Sequence, residues 1–575
     1  MSQHQSNREQ AAFAFAEDVV SRDPASARKA GLAETEEQIA IKSAIRQMYA
    51  GDIMTIRAFA GAGKTSTLVI LAKDVMSRGL GKGLYLAFNR EIANEATKKF
   101  KPFNVDCRTS HSLAFRTVIG GSIPCYSLNL RAVRETVNHT ALQDLISATG
   151  LPKAKAEALV LNSVEQFCSS DQPHITDEIS AAAIIKMFGD PLNGSAMQQK
   201  LRTRLLNCRS YVTTAAMSVW NVIRNPRVHG VTYHSVYLKL FEMDKNAIAR
   251  AFGHYACVYL DEAQDFSPVQ TSILRTMLTF KRQAAVLVGD RFQQIYAWRG
   301  AVDALDAFDT PHQYTLTTSF RFTPDIADVA NRVLDRMPNA DPDRPKIQGA
   351  GPGKNVTGEA VITRSNMGTL DAALSHPDRH IYIPGGIDDL IQMLEDAVNL
   401  KRDNLTAIRT EEFRHYTCWM DFVEETEATG NPAMKTIQQL VEEPDWFERL
   451  EALKGRIVSS EGTDILTIGT THKLKGREYK RVTIWEDFPD LETVTINYDK
   501  ARARGDHSGM AGAIEEFHLF YVALTRATTN LVMPSWAKSF LGMYQKEQLK
   551  AANQMFTEPT DGRYLAMGKS DYLLP

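Results

Sequence analysis

The chain has 575 residues, 44% hydrophobic and 23% charged, a composition typical of a soluble globular protein with two to four domains. Its formal net charge of −2 excludes a globally basic nucleic-acid binder, so any site for a polyanion must be local. The six cysteines are scattered without a C-x-x-C pair, which argues against a zinc or disulfide framework and fits a reducing compartment. No apolar run is long enough to span a membrane and the N-terminus lacks a secretory hydrophobic region, so we expect a cytoplasmic protein.

The chain is expected to begin with a polar lead-in over residues 1–31, followed by a helix capped by Thr35. Gln38 lies in the first turn of this helix, upstream of a glycine-rich loop. Its amide can donate and accept a hydrogen bond at once, as the edge of adenine requires. The alternative is a solvated glutamine at a helix start.

A phosphate-binding loop is predicted where the apolar run of residues 53–60 meets Gly61, Gly63, Lys64 and Thr65. Glycines allow backbone N–H groups to curl around phosphate oxygens, and a following helix adds partial positive charge. The lysine would reach the β- and γ-phosphates of a nucleotide, and the threonine hydroxyl would bind Mg²⁺. The predicted nucleotide-binding backbone comprises Ala60, Gly61, Ala62, Gly63, Lys64, Thr65 and Ser66.

Strands and helices then alternate, with strands expected over residues 83–88 and 104–108 and helices over 65–77 and 90–100. Such βα units predict a parallel, doubly wound sheet, in which polar groups at the carboxyl ends of strands face the ligand. Residues 113–253 lack strand alternation, and we expect a helical insertion there.

An acidic pair, Asp261 and Glu262, directly follows the apolar strand expected over residues 254–260. In a chain with a phosphate loop, Asp261 would hold Mg²⁺ and Glu262 would polarise the water that attacks the γ-phosphate. The alternative, a solvated charged turn, fits poorly after so apolar a strand.

Another apolar strand, expected over residues 284–288, leads into a segment with Gln293, Tyr296, Trp298 and Arg299. The glutamine can contact both the γ-phosphate and the attacking water. The two aromatic rings can stack on bases of any sequence, with the arginine beside them. The alternative for each ring is a place in the core.

Taken in order, these motifs resemble those of superfamily 1 DNA helicases of the UvrD/Rep type, and within that group the helicase core of the F-box DNA helicases, without an F-box. The resemblance covers roughly residues 32–540 and rests on these segments: Gln38, the phosphate loop, and residues 85–90, 109–115, 261–265, 289–301, 316–322, 470–479 and 521–527.

The resemblance implies an α/β fold of two RecA-like P-loop motor domains with ATP and Mg²⁺ in the cleft between them. The first motor domain is expected over residues 32–300 and the second over 301–382 and 462–545, with a small accessory subdomain at 383–461 and a C-terminal tail at 546–575. Residues implied to complete the nucleotide site are Phe320 on the adenine, Glu478 on the ribose, and the arginine fingers Arg321 and Arg526. The implied catalytic set is then Lys64, Asp261, Glu262, Gln293, Arg321 and Arg526.

The same resemblance implies a track for single-stranded DNA, with movement in the 3′→5′ direction. Residues matching its lining are Phe88, Thr109, His111, Tyr296, Trp298, Arg299, Arg364, Asn366 and His472. Expected partners are single strands and single-strand/duplex junctions, with recombination or replication proteins as further partners of a monomer. Its place would be the nucleoid of a bacterial cytoplasm, or the nucleus if the source is eukaryotic.

The chain also departs from the family pattern. Ala58 stands at the usual first glycine of the phosphate loop, and Lys473, Leu474 and Arg477 replace the usual residues near Glu478. The accessory subdomain is short, with helices expected over 385–401 and 431–454. We further expect Trp536 to act as a wedge against the last base pair of a duplex, the alternative being a core tryptophan.

Three functions therefore remain open. The leading one is ATP-driven DNA translocation and unwinding in repair, recombination or replication. The second is a translocase that strips proteins such as recombinase filaments from single strands with little unwinding. The third, a nucleotide-switched scaffold without turnover, does not need the full hydrolytic set present here.

Overall fold

The computed structural model describes residues 34–87, 89–121, 123–189, 196–296, 303–410, 413–414, 416–429 and 432–542. The expected lead-in at 1–31 and tail at 546–575 lie outside these residues, as do Phe88, Trp298 and Arg299. Within the described ranges, no helix is long and apolar enough to cross a bilayer.

Two six-stranded sheets, parallel throughout, organise the chain. The strands are β1 Ile53–Ala58, β2 Lys82–Ala87, β3 Val105–Thr109, β4 Cys125–Tyr126, β5 Thr232–Tyr233, β6 Tyr255–Leu260, β7 Ala284–Gly289, β8 His312–Leu316, β9 Thr318–Ser319, β10 Gln348–Gly349, β11 Glu359–Thr363, β12 Ile381–Tyr382, β13 Ile457–Val458, β14 Leu466–Thr470, β15 Tyr479–Ile484 and β16 Ala527–Val532. The first sheet has the order β3-β2-β6-β7-β1-β8 and the second β13-β12-β14-β11-β15-β16. The predicted α/β class with two motor-like parallel sheets is thus confirmed.

The first sheet is covered by helices on both faces, which is why its central strands are buried almost completely. Its helices outside the insertion are Glu36–Ile45, Lys64–Ser77, Arg90–Phe100, Ser110–Ala114 and Pro268–Thr279. The helix at Glu36–Ile45 begins at a capping box between Thr35 and Gln38, as its sequence favours.

The predicted end of the first motor domain, residue 300, is wrong. Strand β8 pairs with β1 through Met54–His312 to Ala58–Leu316, so the first sheet extends to residue 316. The short half-exposed pattern of this edge strand gave no signal of its own in the sequence.

Among its described residues the expected helical insertion is mostly helical, and β4 and β5 are the only strands there, joined as one short parallel pair. Its helices enclose a core of their own built around Val160, Phe167, Val212 and Trp220. The segment contains a π-helical turn at Phe115–Ile119 and helices at Leu130–Thr136, His139–Thr149, Lys153–Ser169, Asp177–Phe188, Ala196–Asn207, Arg209–Ile223, Pro226–His229, His234–Met243 and Lys245–Phe252.

The second sheet is covered by helices at Pro324–Asp335, Asn366–Leu374, Thr471–Leu474, Leu491–Arg504, His507–Leu524 and Ser535–Phe540. The accessory helices lie between β12 and β13, at Asp388–Lys401, Trp419–Thr429, Pro432–Glu442 and Trp446–Lys454. The expected helix over 431–454 is therefore two helices, and that at Trp419–Thr429 was not predicted. Strand β13 belongs to the second sheet, so the accessory part ends before residue 457 rather than at 461.

Three side chains of the first motor domain are buried in the apolar core of the second. Phe59, Ala60 and Ile295 come from the first domain, yet they are buried in the same cluster as Phe322 and Tyr521 of the second. The cleft between the sheets is therefore lined at its base by a continuous hydrophobic contact.

Candidate functional site

The glycine-rich loop after β1 adopts backbone angles that require its glycines. Gly61 and Gly63 have φ of 74° and 80°, in the left-handed region. A Cβ on Gly61 would lie 2.4 Å from the Ser319 hydroxyl and 2.5 Å from Cβ of Arg321. The loop thus turns tightly and lies directly against the strand–loop segment that carries Arg321.

Two carboxylates at the end of β6 contact this loop. Nζ of Lys64 lies 2.8 Å from Oε2 of Glu262, and the Thr65 hydroxyl donates to Oδ2 of Asp261 at 2.7 Å. Tyr85, on the neighbouring β2, donates to the same Asp261 oxygen at 2.8 Å. The predicted lysine, threonine and acidic pair are therefore brought together.

Glu262 has a φ of 56° that non-glycine residues seldom adopt. Backbone strain of this kind persists only where the surrounding structure fixes it, and it concentrates at functional sites. Here the strain turns the Glu262 carboxylate toward Lys64, away from the strand direction.

The pKa values of Lys64, Asp261 and Glu262 depend on the opposing effects of burial and of neighbouring charges. Burial acts to raise the pKa of Glu262, but Lys64 and Lys475 outweigh it and lower that pKa to about 2. Burial likewise acts to lower the pKa of Lys64, but the carboxylates of Glu262, Asp290 and Asp261 raise it overall. Burial and the neighbouring Glu262 raise the pKa of Asp261. Lys64 and Glu262 are therefore held as a charged pair beside the glycine-rich loop.

Gln38 is buried beside the loop, so the solvated alternative is wrong for this side chain. Its Nε2 donates to the Thr67 hydroxyl at 3.0 Å, and its Oε1 accepts from N–H of Thr35 at 3.1 Å. A Cβ on Gly63 would lie 3.5 Å from Nε2. The helix Glu36–Ile45 therefore holds the Gln38 amide in a fixed position next to the glycine-rich loop.

Gln293 lies at the end of the segment that follows β7. Its Nε2 donates to Oδ2 of Asp290 at 2.7 Å, and its Oε1 lies 3.5 Å from Nη2 of Arg526. The Tyr521 hydroxyl donates to the same Asp290 oxygen and accepts from N–H of Ala60, both at 3.2 Å. Residues of the second domain therefore contact both the loop and the glutamine of the first.

The opposite wall carries two arginines. Nε of Arg321 donates to Glu478 at 2.8 Å, and Nη1 donates to the Thr525 carbonyl at 3.2 Å. Arg526 is fully buried, and this burial together with the Arg321 guanidinium lowers its pKa to about 9. Arg526 therefore remains cationic at neutral pH, and it lies on the same wall as Arg321.

The backbone also joins the walls, because N–H of Phe320 donates to the Gly61 carbonyl at 2.9 Å. The ring of Phe320 is half-buried at the edge of the cleft. Glu478 contacts Arg321 rather than standing alone, so the two predicted nucleotide contacts form a pair here.

Two predicted DNA residues follow β3. Thr109 caps the next helix by accepting from N–H of Ser112 at 3.1 Å. The His111 ring packs edge-on against Tyr237, with centroids 6.0 Å apart. Burial and the nearby His234 lower the pKa of His111 to about 4, so this imidazole is neutral at physiological pH.

Tyr296 and His472 are brought together across the domains, with ring centroids 5.9 Å apart. Nζ of Lys475 lies 4.9 Å from the centroid of the Tyr296 ring and donates to Oδ2 of Asp265 at 2.5 Å and to the Gln293 carbonyl at 2.8 Å. One lysine therefore connects the acidic segment after β6, the glutamine segment and a predicted base-stacking ring.

Arg364 and Asn366 lie at the end of β11. The Arg364 guanidinium forms a two-pronged ion pair with Glu516, with its shortest N–O distance 2.6 Å. Asn366 is the first residue of the following helix, whose cap is Ser365. A nucleic-acid phosphate would have to compete with Glu516 for the arginine.

Family models match both halves of the chain. The UvrD/REP helicase N-terminal domain matches residues 38–309, and the UvrD-like helicase C-terminal domain matches residues 387–539. The chain belongs to the UvrD-like helicase family.

Two curated relatives resemble this UvrD-like protein over most of its length. The chain is 28% identical to F-box DNA helicase 1 of Gallus gallus over 86% of its residues and 48% of the relative. It is 26% identical to F-box DNA helicase protein 1 of Schizosaccharomyces pombe over 85% of its residues and 56% of the relative. DNA helicase IV of Escherichia coli is 25% identical over 50% of this chain and 45% of the relative. The chain thus spans about half the length of the curated relatives it matches.

In this UvrD-like chain Trp536, the expected wedge residue, is partly buried. It lies on the helix Ser535–Phe540, and its ring packs against Phe520 and Phe540 with centroids 5.2 and 6.5 Å away. The indole N–H is buried without a hydrogen-bond partner. The arrangement favours the alternative of a packing tryptophan over a duplex wedge.

Three contributors to the helicase site were not singled out from the sequence: Lys475, Asp265 and Tyr521. Each lies inside a motif that carried the family resemblance, so the motif itself was the available signal. Their roles depend on contacts between residues more than 180 positions apart, which sequence spacing does not reveal.

Proposed function

We propose that this chain is an ATP-dependent DNA helicase that hydrolyses ATP to move along single-stranded DNA, in the 3′→5′ direction, and to unwind duplex ahead of it. The observation that carries the proposal is the two-walled cleft. Lys64, Thr65 and the acidic pair stand on one wall, and the two cationic arginines on the other, with Arg526 within 3.5 Å of Gln293.

Triphosphate binding would exchange partners that are already in place. The phosphates would take Lys64 from Glu262, and the freed carboxylate would accept a proton from the attacking water. Gln293 would orient that water, while Arg321 and Arg526 would neutralise charge that develops in the transition state. Glu478 would exchange Arg321 for the ribose hydroxyl, and Phe320 would stack on adenine.

Mg²⁺ fits the donor set of Thr65 and Asp261, because hard cations prefer hydroxyl and carboxylate oxygens. The described residues contain no cluster of three or more His, Cys, Asp or Glu side chains able to hold a metal. Two protein oxygens completed by phosphates and water are the usual arrangement for this ion in nucleotide sites, where it neutralises phosphate charge.

Movement along DNA would follow from opening and closing of the cleft. Lys475 contacts both the acidic segment and the ring of Tyr296, so a change at the nucleotide would be felt at the predicted base-stacking position. Such a γ-phosphate-dependent switch between two arrangements is a common basis of nucleotide motors.

Glu262→Gln tests the hydrolytic role, because it keeps the shape of the side chain but removes the base. We expect kcat for single-strand-stimulated ATP hydrolysis to fall at least about 100-fold while DNA binding persists. Lys64→Ala should abolish hydrolysis through lost phosphate contact. The matched controls are Glu95→Gln and Lys73→Ala, both exposed in the same domain. Equal hydrolysis with and without single-stranded DNA would contradict the proposal.

A second candidate, stripping of proteins from single strands with little unwinding, is favoured by the compact accessory part between β12 and β13. Parallel assays of duplex unwinding and of displacement of a recombinase from a coated strand separate the two. Displacement at normal rate without unwinding would select the second candidate.

A further inference from the structure

A cavity of about 390 Å³ opens where the helical insertion meets the end of β3. Its volume lies within the roughly 300–1,000 Å³ range of small-molecule sites. One wall is His111, itself a predicted DNA contact, two residues after Thr109. The other walls come from helices of the insertion, and the lining is dominated by side chains that form hydrogen bonds: Ser127, Asn162, Glu165, Gln166, Ser169, Lys186, His234 and Ser235.

The chemistry of this lining suits a nucleobase edge better than a phosphate. Lys186 is the only cationic side chain in the set, and the imidazole of His111 is neutral at physiological pH. The remaining groups are amides, hydroxyls and one carboxyl group, and a single lysine is a weak phosphate cradle. Flat imidazole faces beside amides and a carboxyl are the groups that stack on and hydrogen-bond to unstacked bases.

Two acceptors of the lining come from one helix, Lys153–Ser169. Asn162 donates one Nδ2 hydrogen to the Ala158 carbonyl at 2.9 Å, which leaves Oδ1 as an acceptor and the second Nδ2 hydrogen for a ligand. Glu165 accepts from the Ser235 hydroxyl through Oε1 at 3.1 Å, which leaves Oε2 for a second donor. Asn162 and Glu165 are three residues apart on the helix Lys153–Ser169, so both acceptors lie on one face of it. Two acceptors on one face suit a base edge with adjacent donors, and only guanine offers N1–H and N2–H₂ side by side.

We propose that this cavity accepts one unstacked guanine from the single strand, with Glu165 and Asn162 accepting from its N1–H and N2–H₂ edge. The proposal rests on the proposed function, because the strand must pass His111 for a base to enter. It adds a base preference to a motor whose remaining predicted contacts are stacking rings and phosphate-binding groups. Burial raises the pKa of Glu165, and two new donors would favour its ionised form.

The test compares single strands of alternating thymine and guanine with strands in which inosine replaces guanine, measured by fluorescence anisotropy on the full chain without nucleotide. Inosine lacks only the 2-amino group. We expect the guanine strand to bind about tenfold more tightly to the unaltered chain, and the difference to fall below about twofold in Glu165→Gln and in Asn162→Ala. The control Glu178→Gln, exposed on another helix of the insertion, should keep the full difference.

Equal affinity of the unaltered chain for the two strands would overturn the proposal, and so would a preference that survives both variants. Binding to oligothymidine shows that a variant is folded, since that strand cannot use the cavity edge. A photoreactive 6-thioguanine strand provides a second measurement, and its crosslink should fall within residues 153–169 or at 234–235. A crosslink confined to the segment around Tyr296 would also count against the cavity.

Failure here and failure of the proposed function remain distinguishable. If oligothymidine stimulates ATP hydrolysis but guanine is not preferred, only the guanine-binding proposal is rejected. If guanine is preferred but DNA does not stimulate ATP hydrolysis, the guanine-binding proposal stands and the proposed motor function is rejected.

Discussion

The two parallel sheets differ in the loop that follows one interior strand of each, β1 in the first sheet and β11 in the second. In each, a central strand is followed by a short loop and a helix: β1 by Gly61–Gly63 and Lys64–Ser77, β11 by Arg364–Ser365 and Asn366–Leu374. The first loop turns through glycines in the left-handed region, a backbone conformation from which anion-binding concavities are built.

At the second loop the backbone N–H groups donate to a carboxylate of the protein itself, that of Asp487. Asp487 accepts from N–H of Arg364 and N–H of Ser365, both at 2.9 Å, and from the Ser365 hydroxyl at 3.0 Å. Gly368 packs so closely on this carboxylate that a Cβ there would lie 1.9 Å from Oδ2. A carboxylate of the same domain therefore closes the second loop, whereas we propose that the first loop binds a nucleotide phosphate.

The largest expected effect is on ATP hydrolysis, when the first loop loses the arginine that faces it across the cleft. Arg526→Ala removes a cation that the second domain presents to the first domain's loop, so kcat for DNA-stimulated ATP hydrolysis should fall about 1,000-fold. Steady-state hydrolysis measures it, with the exposed Arg481→Ala as control. A fall of less than tenfold would mean that Arg526 supports structure only.

A smaller effect is expected from Asp487→Ala, which leaves two N–H donors and a hydroxyl without their acceptor. Unsatisfied buried donors cost about 1–3 kcal/mol, so we expect the free energy of unfolding to drop by about 2 kcal/mol. Urea unfolding measures this, and Asp499→Ala, on an exposed helix position, is the control. An unchanged midpoint would show that the second loop needs no internal anion.

The smallest expected effect concerns the pH dependence of the contact between the domains. Burial raises the pKa of Asp265 from 3.8 to about 6, although Lys475 opposes the shift. The folded state therefore favours the protonated acid, and this contribution is full below pH 3.8 and is lost as pH rises through about 6.

Asp265→Asn should remove that pH dependence, which amounts to about 2 kcal/mol across the interval. Urea unfolding at several pH values from about 4 to about 7 measures it, with Asp499→Asn as control. A variant whose stability changes with pH as steeply as the unaltered chain would contradict this assignment.

Much of the nucleotide wall could be predicted from the sequence because its signals are local. The glycine loop, Lys64, Thr65 and the acidic pair each follow an apolar strand, and parallel strands bring their carboxyl ends to one edge. Gln293 was predicted from its place after an apolar strand, and the two arginines came from the family resemblance. The structure places Gln293 within 3.5 Å of Arg526.

The parts that sequence reasoning missed depend on distant partners. Asp487 lies 123 positions from Arg364, and nothing in its neighbourhood signals a helix cap. Strand β8 joins the first sheet from beyond the expected domain boundary because β1 offers a free edge, not because of its own pattern. Trp536 was misjudged because an aromatic near a motif looks the same whether it faces solvent or Phe520.

The apolar base shared by the two halves has a practical consequence. Phe59, Ala60 and Ile295 from one half lie in a single cluster with Phe322 and Tyr521 from the other. Each half expressed as a separate polypeptide would expose apolar surface to solvent and should aggregate. Co-expression of the two halves should instead allow them to associate into one folded complex.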